Sequence, residues 1–142
     1  MPAPHPRRPA ALALSLLTVA LTALPLAACS SSPAALPACH SPEAAVLPHT
    51  AGSLTQADTG TYCLAVGQTL DIFLTAPSAS GSARWDRVAI SDGSVLGYGS
   101  NSAMTPPLDV TPGAVIGLGR GAATVSSTLP DGTKWTATIV VS

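Results

Sequence analysis

Thr69-Leu70-Asp71-Ile72-Phe73-Leu74-Thr75 decides the fold class. Leu70, Ile72 and Leu74 alternate with Asp71, Phe73 and Thr75, a period of two that lays an aliphatic face along an extended segment. Ala76-Pro77-Ser78-Ala79-Ser80-Gly81-Ser82 ends the strand, since proline removes a backbone donor and glycine and serine favour turns. Outward from there the same style repeats. Arg84 to Ile90 is a second strand, with Val88 and Ile90 on one face and Trp85 on the other unless a bulge re-phases it. Asp92-Gly93 is a hairpin signal with Ser94 to Tyr98 as its return strand. Thr111-Pro112-Gly113 reads as a turn, Ala114 to Leu118 as a short apolar strand, and Gly119-Arg120-Gly121 as a turn into Ala122 to Thr128. Asp131-Gly132 marks another hairpin, and in Lys134 to Val141 the residues Trp135, Ala137, Ile139 and Val141 share one face. No window after Cys29 holds the helical spacing of apolar residues. Short strands repeating every ~10 residues predict an all-β sandwich of about seven antiparallel strands.

Before this domain the chain changes character twice. Residues 1–28 have a basic start at Arg7 and Arg8, then an uncharged run rich in Ala and Leu from Ala10 to Leu24, the form of an export signal. The run is too short for a membrane span, which needs about 20 apolar residues, and Pro25 breaks it. It ends in Leu26-Ala27-Ala28-Cys29: an aliphatic residue, two small ones that fit a peptidase site, and a thiol able to take a lipid. Cleavage at Ala28 by an ordinary signal peptidase is the plainer alternative. Residues 29–61 hold Ser-Ser-Ser-Pro, Ala-Ala-Leu-Pro and Ser-Pro-Glu with no sustained period, and read as a flexible tether. The sandwich is expected over residues 62–142.

The leader resembles that of bacterial lipoproteins closely. The resemblance implies a diacylglycerol on Cys29, cleavage just before it, and residence on the outer face of a cell membrane, held by the lipid. Arg7-Arg8 followed by Pro9-Ala10-Ala11 leaves the export route open. A single lysine amid abundant Ala, Gly, Pro and Thr is the usage of GC-rich genomes such as those of actinobacteria.

Past the cleavage point four basic residues (Arg84, Arg87, Arg120, Lys134) face seven acidic ones, a net charge of −3. So few cations make no basic patch, which excludes nucleic acid as a partner. With Cys29 given to lipid, Cys39 and Cys63 remain, and outside the cytoplasm a disulfide between them is the default. Closing a loop of 25 residues is worth about 3.5 kcal/mol in the chain-entropy account. The alternative, a metal held by Cys39, His40, His49 and Cys63, matches no zinc spacing.

Val66-Gly67-Gln68-Thr69-Leu70, a tryptophan at Trp85 after a Ser/Gly loop, Arg120-Gly121-Ala122-Ala123-Thr124-Val125 and a final strand in Ile139-Val140-Val141 resemble bacterial immunoglobulin-like domains. The same order resembles the chagasin-type cysteine protease inhibitors, also Ig-like. That resemblance implies three contact loops: Ala76–Ser82, Gly97–Ala103 and Leu129–Thr133. The family's N-P-T-T-G loop stands here as Ala76-Pro77-Ser78-Ala79-Ser80-Gly81, and its R-P-W loop as Leu129-Pro130-Asp131-Gly132. Asp58-Thr59-Gly60-Thr61-Tyr62-Cys63 differs from the antibody tyrosine corner, which has one residue between Tyr and Cys, so Tyr62 is read as packing beside the disulfide.

Catalysis finds little support. A hydrolytic base has to be positioned by hydrogen bonds, and the histidines past the leader, His40 and His49, fall in the expected tether. Asp71, Asp86, Asp92, Asp109 and Asp131 are scattered singly, mostly beside turns. Trp85 and Trp135 could stack a ligand, but in a sandwich they read as core. The sequence thus describes a monomeric, lipid-anchored, non-catalytic binding or structural module with no cofactor and no metal. Its partner would be an envelope or extracellular protein, contacted through Pro77, Ser78, Ser80, Gly81, Tyr98, Asn101, Pro130 and Asp131. A chagasin-like inhibitor is the alternative, and an enzyme the third reading.

Overall fold

Leu70, Ile72 and Leu74 are all fully buried on one face of β3 (Thr69–Thr75), as their alternation requires. The computed structural model describes residues 34–77 and 83–142, which carry eight strands and no helix. The leader expected over residues 1–28, Cys29 and the loop residues Ser78, Ser80 and Gly81 lie outside the described residues. The remaining strands are β1 (Ser53–Thr55), β2 (Thr61–Leu64), β4 (Ala89–Ile90), β5 (Leu96–Tyr98), β6 (Val110–Gly117), β7 (Gly121–Thr128) and β8 (Lys134–Val141). Two four-stranded sheets result, in the orders β1-β3-β6-β5 and β2-β8-β7-β4. Leu54, Ile72 and Val115 from the first sheet meet Val125, Trp135 and Ile139 from the second in one core, each at most 2% exposed. Fully burying one such aliphatic side chain is worth about 1.5–3 kcal/mol.

The sheets are not wholly antiparallel: β1 runs parallel to β3, and β2 parallel to β8. The reason is the chain's path, which alternates between sheets over β1, β2 and β3, so that β1 and β3 point the same way when they meet side by side. This path also brings the core forward in the sequence. Ser53–Thr55, expected within the tether, is a strand, and its Leu54 is completely buried. Still earlier, His40 N–H donates to Thr61 O (3.1 Å), Cys63 N–H donates to His40 O (2.8 Å), and the Cys39–Cys63 disulfide closes beside them. Ser53 N–H then donates to Glu43 O at 3.1 Å, so the segment from Cys39 to Glu43 covers the outer edges of both sheets. Such edges are otherwise templates for aggregation.

Three expectations for the middle of the chain need correction. Asp92-Gly93 does not join a hairpin: β4 pairs with β7 in one sheet and β5 pairs with β6 in the other. Asp92 Oδ1 accepts from Ser94 N–H (2.8 Å) and Ser94 Oγ–H (2.6 Å), and this Asx turn carries the chain across the sandwich. Gly93 has no positive φ, which a type I′ turn would need. Thr111-Pro112-Gly113 is no turn but part of β6. Ala114 gives its carbonyl to Gly99 N–H on the β5 side, and Pro112, two residues earlier, faces the same side beyond the end of β5, where no ladder bond is lost. Gly113 is small because Val88 docks on it: a Cβ there would lie 2.8 Å from Val88 Cγ2. Arg84 to Val88 is irregular, which lets both Trp85 and Val88 turn inward despite their spacing of three.

The Asp131-Gly132 hairpin and the face shared by Trp135, Ala137, Ile139 and Val141 are as the sequence predicts.

Candidate functional site

A strap of two residues fixes one end of the sandwich. Trp85 Nε1–H donates to Thr75 O at 3.1 Å where β3 ends, and Thr111 Oγ–H donates to Trp85 O at 3.0 Å where β6 begins. Asp86 N–H donates to Thr128 O (2.9 Å) and Ser127 Oγ–H donates to Asp86 O (2.7 Å) at the end of β7. The strap ties the two sheets together, and the loops after β3, before β6 and after β7 leave from the same end. Ala76 N–H donates to Asp109 O at 3.2 Å, joining the first two loops directly.

The loop from Leu129 to Thr133 is a tight hairpin. Leu129 N–H donates to Thr133 O (2.8 Å), Gly132 takes a φ of 89°, and Leu129 is buried beneath the tip. Asp131 Oδ1 accepts from Thr133 N–H at 2.8 Å, and this bond holds its carboxyl below the ordinary aspartate value. Pro130 and Asp131 are thus exposed on a fixed frame. Of the loop after β3, Pro77 is described and exposed.

The loop between β5 and β6 departs from expectation. Gly97 and Tyr98 belong to β5, so the loop is 99–109 rather than Gly97–Ala103. Tyr98 lies opposite Val115, the sixth of the eight residues of β6, and Asn101 folds onto the outer face of the first sheet, so neither stands at the three-loop end with Pro77, Pro130 and Asp131. What reaches that end is the loop's second half. Val110 N–H donates to Pro107 O at 3.1 Å, and the turn leaves Leu108 90% exposed. Sequence reasoning missed this residue, although Pro106-Pro107 before it is a turn signal.

The loop is anchored from below by Asp71, fully buried on the outer face of β3. Asn101 Nδ2–H donates to Asp71 Oδ2 at 3.3 Å, while Asn101 Oδ1 accepts from Ala103 N–H at 3.1 Å. Burial pushes the Asp71 carboxyl above the ordinary aspartate value, against the hydrogen bond from Asn101 that pulls it down. Its Oδ1 has no partner among the described residues. Above it, Met104 and Pro106 face Phe73, Val46 and Leu47 across an apolar hollow of about 240 Å³.

The remaining reactive side chains do not gather at this end. His40 lies against the Tyr62 ring with centroids 4.4 Å apart, and Tyr62 O–H donates to Asp58 Oδ1 at 3.2 Å. Burial and the neighbouring Asp58 push the Tyr62 phenol above its ordinary value. This trio stands at the β2 edge beside the disulfide, where Tyr62 packs as expected. Among the described residues no three of His, Cys, Asp and Glu are placed to hold a metal ion. Both tryptophans are core: Trp85 is 7% exposed, while Trp135 is 2% exposed and donates from Nε1 to Asp58 O at 3.0 Å.

No family description matches the chain, and no curated protein does. Among solved structures it is similar to the cysteine protease inhibitor EhICP2 from Entamoeba histolytica, with 12% identity, a TM-score of 0.49, and coverage of 63% of this chain and 93% of that one. It is also similar to amebosin, with 18% identity, a TM-score of 0.40, and coverage of 67% of this chain and 99% of that one.

Proposed function

We propose that the protein is a non-catalytic binding module that grips a papain-like cysteine peptidase through the three-loop end. One observation carries this reading: the loops after β3, before β6 and after β7 leave one end of the sandwich on a frame tied by Trp85 and Asp86. These are the loops in which the chagasin-type resemblance puts peptidase contacts. Leu108, 90% exposed between Pro107 and Asp109, supplies an apolar tip that a partner could bury as an anchor. Pro77 and Pro130 stiffen the flanking loops, which lowers the entropy lost on binding. Inhibition of this kind blocks access to a cleft and asks no acid or base of the inhibitor.

The second reading is a module for another envelope or extracellular protein, and the loop sequences favour it. The family's glycine- and tryptophan-bearing motifs are replaced here by Ala76-Pro77-Ser78-Ala79-Ser80-Gly81 and Leu129-Pro130-Asp131-Gly132. In both readings Leu26-Ala27-Ala28-Cys29 supports a lipid on Cys29 that holds the domain at the outer face of a membrane.

The test is a titration of the chain from Ala34 to Ser142 against papain-like peptidases and against envelope extracts. Inhibition that is lost in Leu108→Ser supports the peptidase reading. Capture of an envelope protein without inhibition, again lost in Leu108→Ser, supports the second.

A further inference from the structure

The first sheet has a gap. β5 ends at Tyr98, one hydrogen bond further on Gly99 N–H meets Ala114 O at 2.8 Å, and the chain then leaves for the outer face to meet Asp71. Beside Pro112–Ala114 this leaves a groove of about 310 Å³, walled by Val88, Met104, Pro112 and Ala114. That volume lies at the lower end of the ~300–1,000 Å³ typical of small-ligand sites. An added strand is a poor occupant, because Pro112 offers no N–H and Val110 O is already taken by Arg84 at 2.9 Å.

The groove's one charged lining residue is Arg87. Its guanidinium lies over the Tyr98 ring, 4.3 Å from the centroid. A guanidinium held over a ring is attracted to its face and still has N–H donors to offer an acceptor. No acceptor among the described residues takes those donors. Planar forked donors match a carboxylate, and such charge-assisted pairs are roughly twice as strong as neutral hydrogen bonds.

We propose that this groove is a second binding site, separate from the three-loop end, for a carboxylate carried on an apolar body. The carboxylate sits on the Arg87 fork, and the apolar body fills the space between Val88, Met104 and Pro112. The same chemistry is found at the C-terminus of a peptide ending in an apolar residue and in a free small organic acid.

The experiment is an NMR titration of the chain from Ala34 to Ser142, which holds both sheets, the disulfide and the whole core. Three probes separate the cases: Ala-Ala-Phe with a free C-terminus, the same peptide as its amide, and hydrocinnamate. At least one acid is expected to give saturable shifts at Tyr98 and Met104, with a Kd of about 1 mM or tighter. The amide, and either acid against Arg87→Gln, should bind at least tenfold more weakly. Because Arg87 is exposed, Arg87→Gln should keep its melting transition. Binding of the peptide acid alone identifies a chain terminus as the source, and binding of hydrocinnamate identifies a free acid. The proposal is overturned if neither acid gives saturable shifts at these residues, or if the amide or Arg87→Gln matches the acid on the unaltered protein.

Discussion

Asn101 Nδ2 stands 3.3 Å from Asp71 Oδ2, across 30 residues of sequence, and through this bond a buried carboxylate in the middle of β3 holds the loop that carries Leu108. The carboxylate is poorly served: its second oxygen has no partner among the described residues. An ionised group in that position costs more to bury than a neutral group of the same shape.

Asp71→Asn should therefore stabilise the domain at pH 7, by about 1 kcal/mol, or about 4–8 °C in Tm for a domain of this size. The pH dependence follows from the sign of the shift. The folded carboxyl is raised above the ordinary 3.8, so the native state holds its proton more tightly than the unfolded chain. Asp71 favours folding most below the ordinary value, and this contribution declines as pH rises through the folded one. Asp92 and Asp131, both lowered, work in the opposite sense and lose their contribution only as pH falls below 3.8. Thermal melts from pH 4 upward should show the decline in the unaltered protein and its removal in Asp71→Asn.

Leu54→Ala should cost about 2–5 kcal/mol, the range for a fully buried leucine. Urea unfolding checks it, and a cost below 1 kcal/mol would mean that β1 is not part of the core.

The two residues Asp71 and Leu54 also mark what the sequence made legible. Period-two alternation identified β3 and β8, because each has one face wholly in the core, and turn chemistry identified Asp131-Gly132 and the entry to β7. Three apolar positions in a row are needed for a period to show, and β1 has one, Leu54, flanked by Ser53 and Thr55. It therefore reads as tether. The Asx turn at Asp92 and a hairpin turn begin with the same dipeptide, and what separates them is which sheet receives β5, a long-range matter. Pro112 looked like a turn because its tolerance in β6 depends on where β5 stops. Leu108 was illegible for the opposite reason: an isolated exposed leucine belongs to no pattern, and only the loop's anchoring at Asp71 and Pro107 shows where it is held.

Opening the Cys39–Cys63 bridge should lower stability by about 3.5 kcal/mol, the loop-closure value for this separation. Cys39→Ser with Cys63→Ser, compared by urea unfolding, gives the number. Because the bridge holds the segment that covers the β2 edge, the double variant should also aggregate more readily on heating.

The protein purified from its native host should carry the mass of a diacylglycerol on Cys29, and Cys29→Ala should lose both that mass and membrane recovery. Mass spectrometry of the N-terminal peptide decides it, and an unmodified cysteine or cleavage elsewhere would refute the assignment.

The central claim is that the three-loop end binds a papain-like cysteine peptidase, and papain inhibition by the chain from Ala34 to Ser142 tests it most directly. Inhibition should be present in the unaltered protein and weakened at least tenfold in Leu108→Ser, since fully desolvated apolar anchors cost about 2 kcal/mol or more when removed. It should be unchanged in Arg87→Gln, which lies outside that end. Inhibition that persists at full strength in Leu108→Ser, or its absence from papain and every related peptidase tried, would contradict the account.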